Sequence, residues 1–66
     1  MVVIFHSIAN PTAFVRFTWD DALDTCDFVA AGFDDSVDTD ALVSAMVATD
    51  AHMGKDFPGF TWDFTW

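Results

Sequence analysis

From Phe60 onward the chain alternates Phe60, Trp62, Phe64 and Trp66 with Thr61, Asp63 and Thr65, the period of two that a strand with one buried and one wet face requires. Pro58 and Gly59 immediately before it place its start at about Phe60, because proline is confined to the beginning of a strand. A strand carrying four large rings on one side cannot stand alone. It needs neighbouring strands and a layer packed over that side.

The neighbours are legible at the other end of the chain. Val2 to Ile8 and Ala13 to Trp19 are short runs rich in branched and aromatic residues, separated by the turn-forming pair Asn10-Pro11, and they read as a hairpin. Two helices are expected between this hairpin and the terminal strand. Thr18 followed by Asp21 resembles a capping box, and Gly32 suits a residue just past a helix end, framing a helix from Trp19 to Ala31. At 100° per residue Trp19, Ala22, Leu23, Cys26, Val29 and Ala30 share one face of it and Asp20, Asp24 and Asp27 the other. A second helix runs from Asp38 as N-cap to Met53, before Gly54, with Leu42, Val43, Met46 and Met53 as its core stripe. Val37 and Leu42 are spaced for a hydrophobic staple. The expected fold is α+β, a single domain over residues 1–66. Its small three-stranded, mainly antiparallel sheet carries two helices on one face, in the order β-β-α-α-β.

A chain of 66 residues buries only about 60% of its unfolded surface. Eight Phe and three Trp compensate, since an enclosed ring buries on the order of 150–250 Å². Cys26 is the single cysteine, so no intramolecular disulfide staples the fold, and a reducing cytoplasm is the expected setting. The amino terminus lacks the positively charged region of a signal peptide, and no apolar run is long enough to span a bilayer.

Charge gives the strongest functional clue. Glutamate is absent, and eight of the eleven acidic residues are aspartates between Asp20 and Asp40, in a chain whose net charge is −9. With only Arg16 and Lys55 as cations, phosphates and anionic membranes repel it; its partners are expected to be basic. On the expected first helix, Asp20, Asp24 and Asp27 would form a row of carboxylates over roughly three turns, extended by Asp21, Asp34, Asp35, Asp38 and Asp40. The simpler alternative is a solubilising face on an apolar chain. Phe28 falls on the polar side by helical phase. It is either an exposed interface anchor or a ring covered by the second helix or the Phe33 loop.

Other chemistries find little support. Asp34, Asp35, Asp38 and Asp40 lack the register of an EF-hand loop, so weak adventitious calcium binding is the most expected of them. Cys26, His6 and His52 lack paired zinc-ligand spacing. No Ser-His-Asp, Cys-His or glycine-rich phosphate motif is present, and solvated aspartates lack the pocket that would separate their pKa values for acid–base work. No cofactor or metal is expected.

In its size, its carboxylates at Asp20, Asp21, Asp24, Asp27, Asp34, Asp35, Asp38 and Asp40, and its lack of a catalytic motif, the chain resembles the small acidic inhibitors that bacteriophages and mobile elements direct against host defence. Anti-CRISPR proteins and other DNA mimics are the nearest kind. The resemblance implies a non-enzymatic protein, monomer or homodimer, in the cytoplasm of a bacterial host. It would bind a basic DNA-recognition groove of a CRISPR effector and exclude target DNA; the residues' own charge and helical phase, not the resemblance, place those eight aspartates and Phe28 at the interface. The alternative is an antitoxin or small assembly subunit that binds a basic protein through exposed aromatics.

Overall fold

A computed structural model describes residues 1–65; the alternation expected at Trp66 lies outside them. Four strands form one antiparallel sheet: β1 (Val2–Ser7), β2 (Phe14–Asp20), β3 (Thr25–Ala31) and β4 (Phe60–Thr65), in the order β3-β2-β1-β4. Between β3 and β4 lie helix α1 (Thr39–Ala48) and a 3-10 turn at Ala51–Met53. The α+β class therefore holds, while three strands and two helices become four strands, one helix and a 3-10 turn.

Registers fix which side chains share a face. Val3 stands opposite Phe17 and Phe64, Phe5 opposite Val15 and Trp62, and Phe17 opposite Phe28, so all of these point to one side. On that side Val3, Phe5, Val15 and Phe17 are buried beneath Val43, Met46 and Ala51. Phe5 is the hub. Its ring meets Phe17 and Phe60 edge-on, with centroids 6.1 and 6.5 Å away, and lies 6.4 Å from Trp62. The other face, with Ile4, Arg16, Val29 and Asp63 in one cross-strand row, carries no helix.

The expected helix over Trp19–Ala31 is instead the second half of a β2–β3 hairpin. Every third or fourth residue there is apolar, which fits a helix, yet Cys26, Phe28 and Ala30 also alternate with Asp27 and Val29. Pairing with β2 decides between the two periods. Seven cross-strand pairs form, from Phe14 with Ala31 to Asp20 with Thr25, and Thr, Phe and Val fit a pleated surface better than a helix. The connecting turn is held by Asp20, whose carboxylate accepts from the amides of Ala22 and Leu23 at 3.0 and 3.2 Å. Asp24 closes it in the left-handed region at φ 51°, a conformation that aspartate tolerates better than most residues.

The second helix begins where expected but stops early. Asp38 is its N-cap and accepts from the Ala41 amide at 3.1 Å. Thr49 ends it, turning its hydroxyl back to the carbonyls of Ala45 and Met46, and Asp50 leaves helical geometry at φ 59°. This break takes Met53 out of the core stripe. It is 59% exposed, and Ala51 is buried instead. Replacing Asp38 with Ala should cost about 1 kcal/mol while Asn at the same position costs little. Equal losses in urea unfolding of the two variants would show that the cap does not hold α1.

The 3-10 turn is tied to β2 through Trp19. Its indole nitrogen donates to the carbonyl of His52 at 3.2 Å, and the two rings stack with centroids 5.5 Å apart. On the far side Trp62 donates to the Asp56 carboxylate at 2.7 Å. Both indoles thus bury ring surface while satisfying their N–H groups.

Candidate functional site

β3 is an edge strand, and most of the acidic segment is arranged around it. Asp20 ends β2, Asp21 and Asp24 lie in the turn that follows, Asp27 stands at the middle of β3, and Asp34 and Asp35 lie in the loop after it. Asp38 and Asp40 follow at the start of α1. A shallow groove lined in part by Ala30, Phe33, Asp34, Asp35, Val37 and Thr39 places this loop and the helix start against the far end of β3. The single helical row of Asp20, Asp24 and Asp27 is therefore replaced by two clusters. At ~3.4 Å per residue, the seven residues of β3 hold them about 20 Å apart, with Asp27 between.

All eight carboxylates are exposed, and among the described residues none is in an ion pair. Lys55 lies 4.0 Å from Asp50, outside the segment, and Arg16 projects from the uncovered face of β2. Asp20 and Asp38 also have structural work, as turn and cap acceptors. Asp21, Asp24, Asp27, Asp34, Asp35 and Asp40 are engaged in no side-chain hydrogen bond or salt bridge among the described residues.

Phe28 rests against Phe17, with centroids 6.4 Å apart, and remains 49% exposed. Neither α1 nor the Phe33 loop covers it. Phe33 packs on Phe60 instead. Val29, on the opposite side of the same strand, and Leu23 in the turn, 70% exposed, add further apolar surface at this edge.

As a strand rather than a helix, which would bond its backbone internally, β3 also has peptide groups to place. Ser7 donates to the carbonyl of Ala13 at 3.0 Å, and Trp19 and Met1 exchange bonds at 2.8 and 3.4 Å. The odd-numbered residues of β2 therefore bond to β1. In an antiparallel ladder these bonds alternate from one side of a strand to the other, so Phe14, Arg16, Thr18 and Asp20 bond to β3. By the same alternation Thr25, Asp27, Val29 and Ala31 turn their peptide groups inward. Cys26, Phe28 and Ala30 present theirs to the open edge.

The other polar groups offer less chemistry. Burial, and then the neighbouring Asp27 carboxylate, push the Cys26 thiol up, so it stays protonated at neutral pH and is a weak nucleophile. His6 approaches Asp63 to 3.9 Å on the uncovered face, while His52 stacks under Trp19. Among the described residues no three His, Cys or Asp side chains converge to hold a metal ion, and no helix is long and apolar enough to cross a membrane. Compared with family models, with curated proteins and with solved structures, the chain matches none.

Proposed function

We propose that the chain is a non-enzymatic inhibitor whose β3 side occupies a basic nucleic-acid-binding groove and keeps the nucleic acid out by offering carboxylates in place of phosphates. One observation carries this reading: eight exposed carboxylates gather around β3 and the loop and helix start that follow it, with none of them in an ion pair among the described residues and Arg16, opposite Val29, the one side-chain cation beside them. The resemblance to anti-CRISPR proteins makes a CRISPR effector complex the partner.

Magnitudes show what the carboxylates alone can do. Duplex DNA carries about one charge per 1.7 Å, or about 21 over a length equal to this molecule's 36 Å long axis. Eight carboxylates are well under half of that. Charge therefore steers the encounter and selects a basic groove, and apolar contact must supply the rest of the affinity. Phe28, Val29 and Leu23 stand at the same edge to do so.

Those side chains also favour a second reading, an antitoxin or small assembly subunit held mainly by apolar contact, with the carboxylates as a wet rim. Salt separates the two. Purified effector complexes should co-elute with the protein and lose target double-stranded DNA binding, more strongly at about 50 mM than at about 200 mM salt. Co-elution that is indifferent to salt and leaves DNA binding intact would favour the second reading. No co-elution would reject the effector as partner.

A further inference from the structure

We infer that the open edge of β3 receives an extended basic segment of the partner as a fifth strand, a reading that rests on the proposed function and specifies how the partner is held. The outward peptide groups of Cys26, Phe28 and Ala30 form the template. Each can donate and accept one main-chain bond, the usual basis of strand addition, and natural proteins seldom leave such an edge open without a purpose or a guard.

Charge selects the occupant. A second copy pairing β3 with β3 would bring two segments of −8 side by side, with the turn of each against the acidic loop of the other, and like charges directly opposite destabilise a strand pair. A cationic strand meets the reverse situation. Side chains of an added strand alternate between the two faces of the sheet. A residue opposite Asp27 emerges on the uncovered face, where Lys or Arg would neutralise it. A residue opposite Phe28 emerges on the helix side, where an apolar group would cover the exposed half of that ring. At the ends of the strand, Asp21 and Asp24 on one side and the groove walls Asp34 and Asp35 on the other also favour cations. The partner segment is thus an amphipathic basic strand, apolar on the helix side and cationic on the other.

A blocked peptide of alternating lysine and valine, about as long as β3, is the probe, with an alternating glutamate and valine peptide as its counterpart. The lysine peptide should slow hydrogen exchange of the Cys26, Phe28 and Ala30 amides selectively in the wild-type chain, and the glutamate peptide should not. Ala30→Pro removes one outward donor while sparing the ladder to β2, a position where an edge strand tolerates proline. It should weaken the lysine peptide about tenfold or more. Binding without slowed exchange at those three amides would overturn the inference, as would a folded Ala30→Pro chain that binds undiminished. The exchange measurement needs no variant, so it decides even if the proline chain does not fold. Failure of the peptide to add would leave the blocking of a nucleic-acid groove standing. Conversely, absence of effector co-elution would leave an observed strand addition standing.

Discussion

Phe5→Ala should lower the melting temperature by at least about 12 °C. Phe5 is fully buried and touches Phe17, Phe60 and Trp62, so its removal opens a cavity between the two central strands and the terminal one. Such truncations cost about 3–5 kcal/mol. At about 0.05–0.15 kcal/mol per residue, a chain this short has roughly 3–10 kcal/mol in total, and each kcal/mol shifts a domain of this size by about 4–8 °C. Phe28→Ala is the control. Half of its ring is already in water, and it should cost less than half as much. Thermal unfolding followed by near-ultraviolet circular dichroism, where the tryptophans report, compares the two. Equal shifts would mean that Phe28 lies deeper, or Phe5 shallower, than the packing described above.

Gly32→Ala should cost about 2–5 kcal/mol, adding a backbone clash to an unfavourable φ. Gly32 has φ 79°, and a Cβ there would meet the carbonyl oxygen of Thr12 at 2.2 Å and two further backbone atoms within 3.0 Å. The Asn10 side-chain amide donates to the Gly32 carbonyl at 3.0 Å, so this corner ties the end of β3 to the first turn and cannot easily retreat. Gly59 provides the reference. It has φ 83° but open space around it, so Gly59→Ala carries only the conformational cost, about 1–2 kcal/mol. The comparison also discriminates between folds. If Gly32 followed a helix, as its sequence context suggested, it too would carry the conformational cost alone. Similar losses at the two glycines, measured by urea unfolding, would speak against the β2–β3 hairpin.

What could be read from the sequence was what local chemistry dictates. The aromatic alternation from Phe60, the hairpin around Asn10-Pro11 and the cap at Asp38 each depend on residues close in the chain, and each is found in place. The segment from Trp19 to Ala31 is different. Its apolar residues satisfy both a helical stripe and a strand alternation, and only the long-range partner β2 selects one. Trp19 shows the cost of choosing wrongly. Taken as the first residue of a helix, it is the last inward-facing residue of β2, stacked on His52. The location of the negative charge survives this change, because it depends on sequence position. Its shape does not: a row with helical spacing becomes two clusters bracketing a strand. The strand edge and its outward amides could be recognised only once the ladder was known.

The most direct test of a binding surface on the β3 side compares two variants with the same change in net charge. Asp24, Asp27 and Asp35 replaced by Asn lose three charges around β3, none of them a turn or cap acceptor. Asp50, Asp56 and Asp63 replaced by Asn lose three elsewhere; asparagine retains an acceptor for Trp62 at Asp56 and tolerates the left-handed backbone at Asp50. Competition with target double-stranded DNA for a purified CRISPR effector, at about 50 mM salt, is the readout. The expected result is at least about a tenfold loss for the first variant and little change for the second. Equal losses would show that net charge alone matters, and a larger loss in the second variant would place the binding surface away from β3.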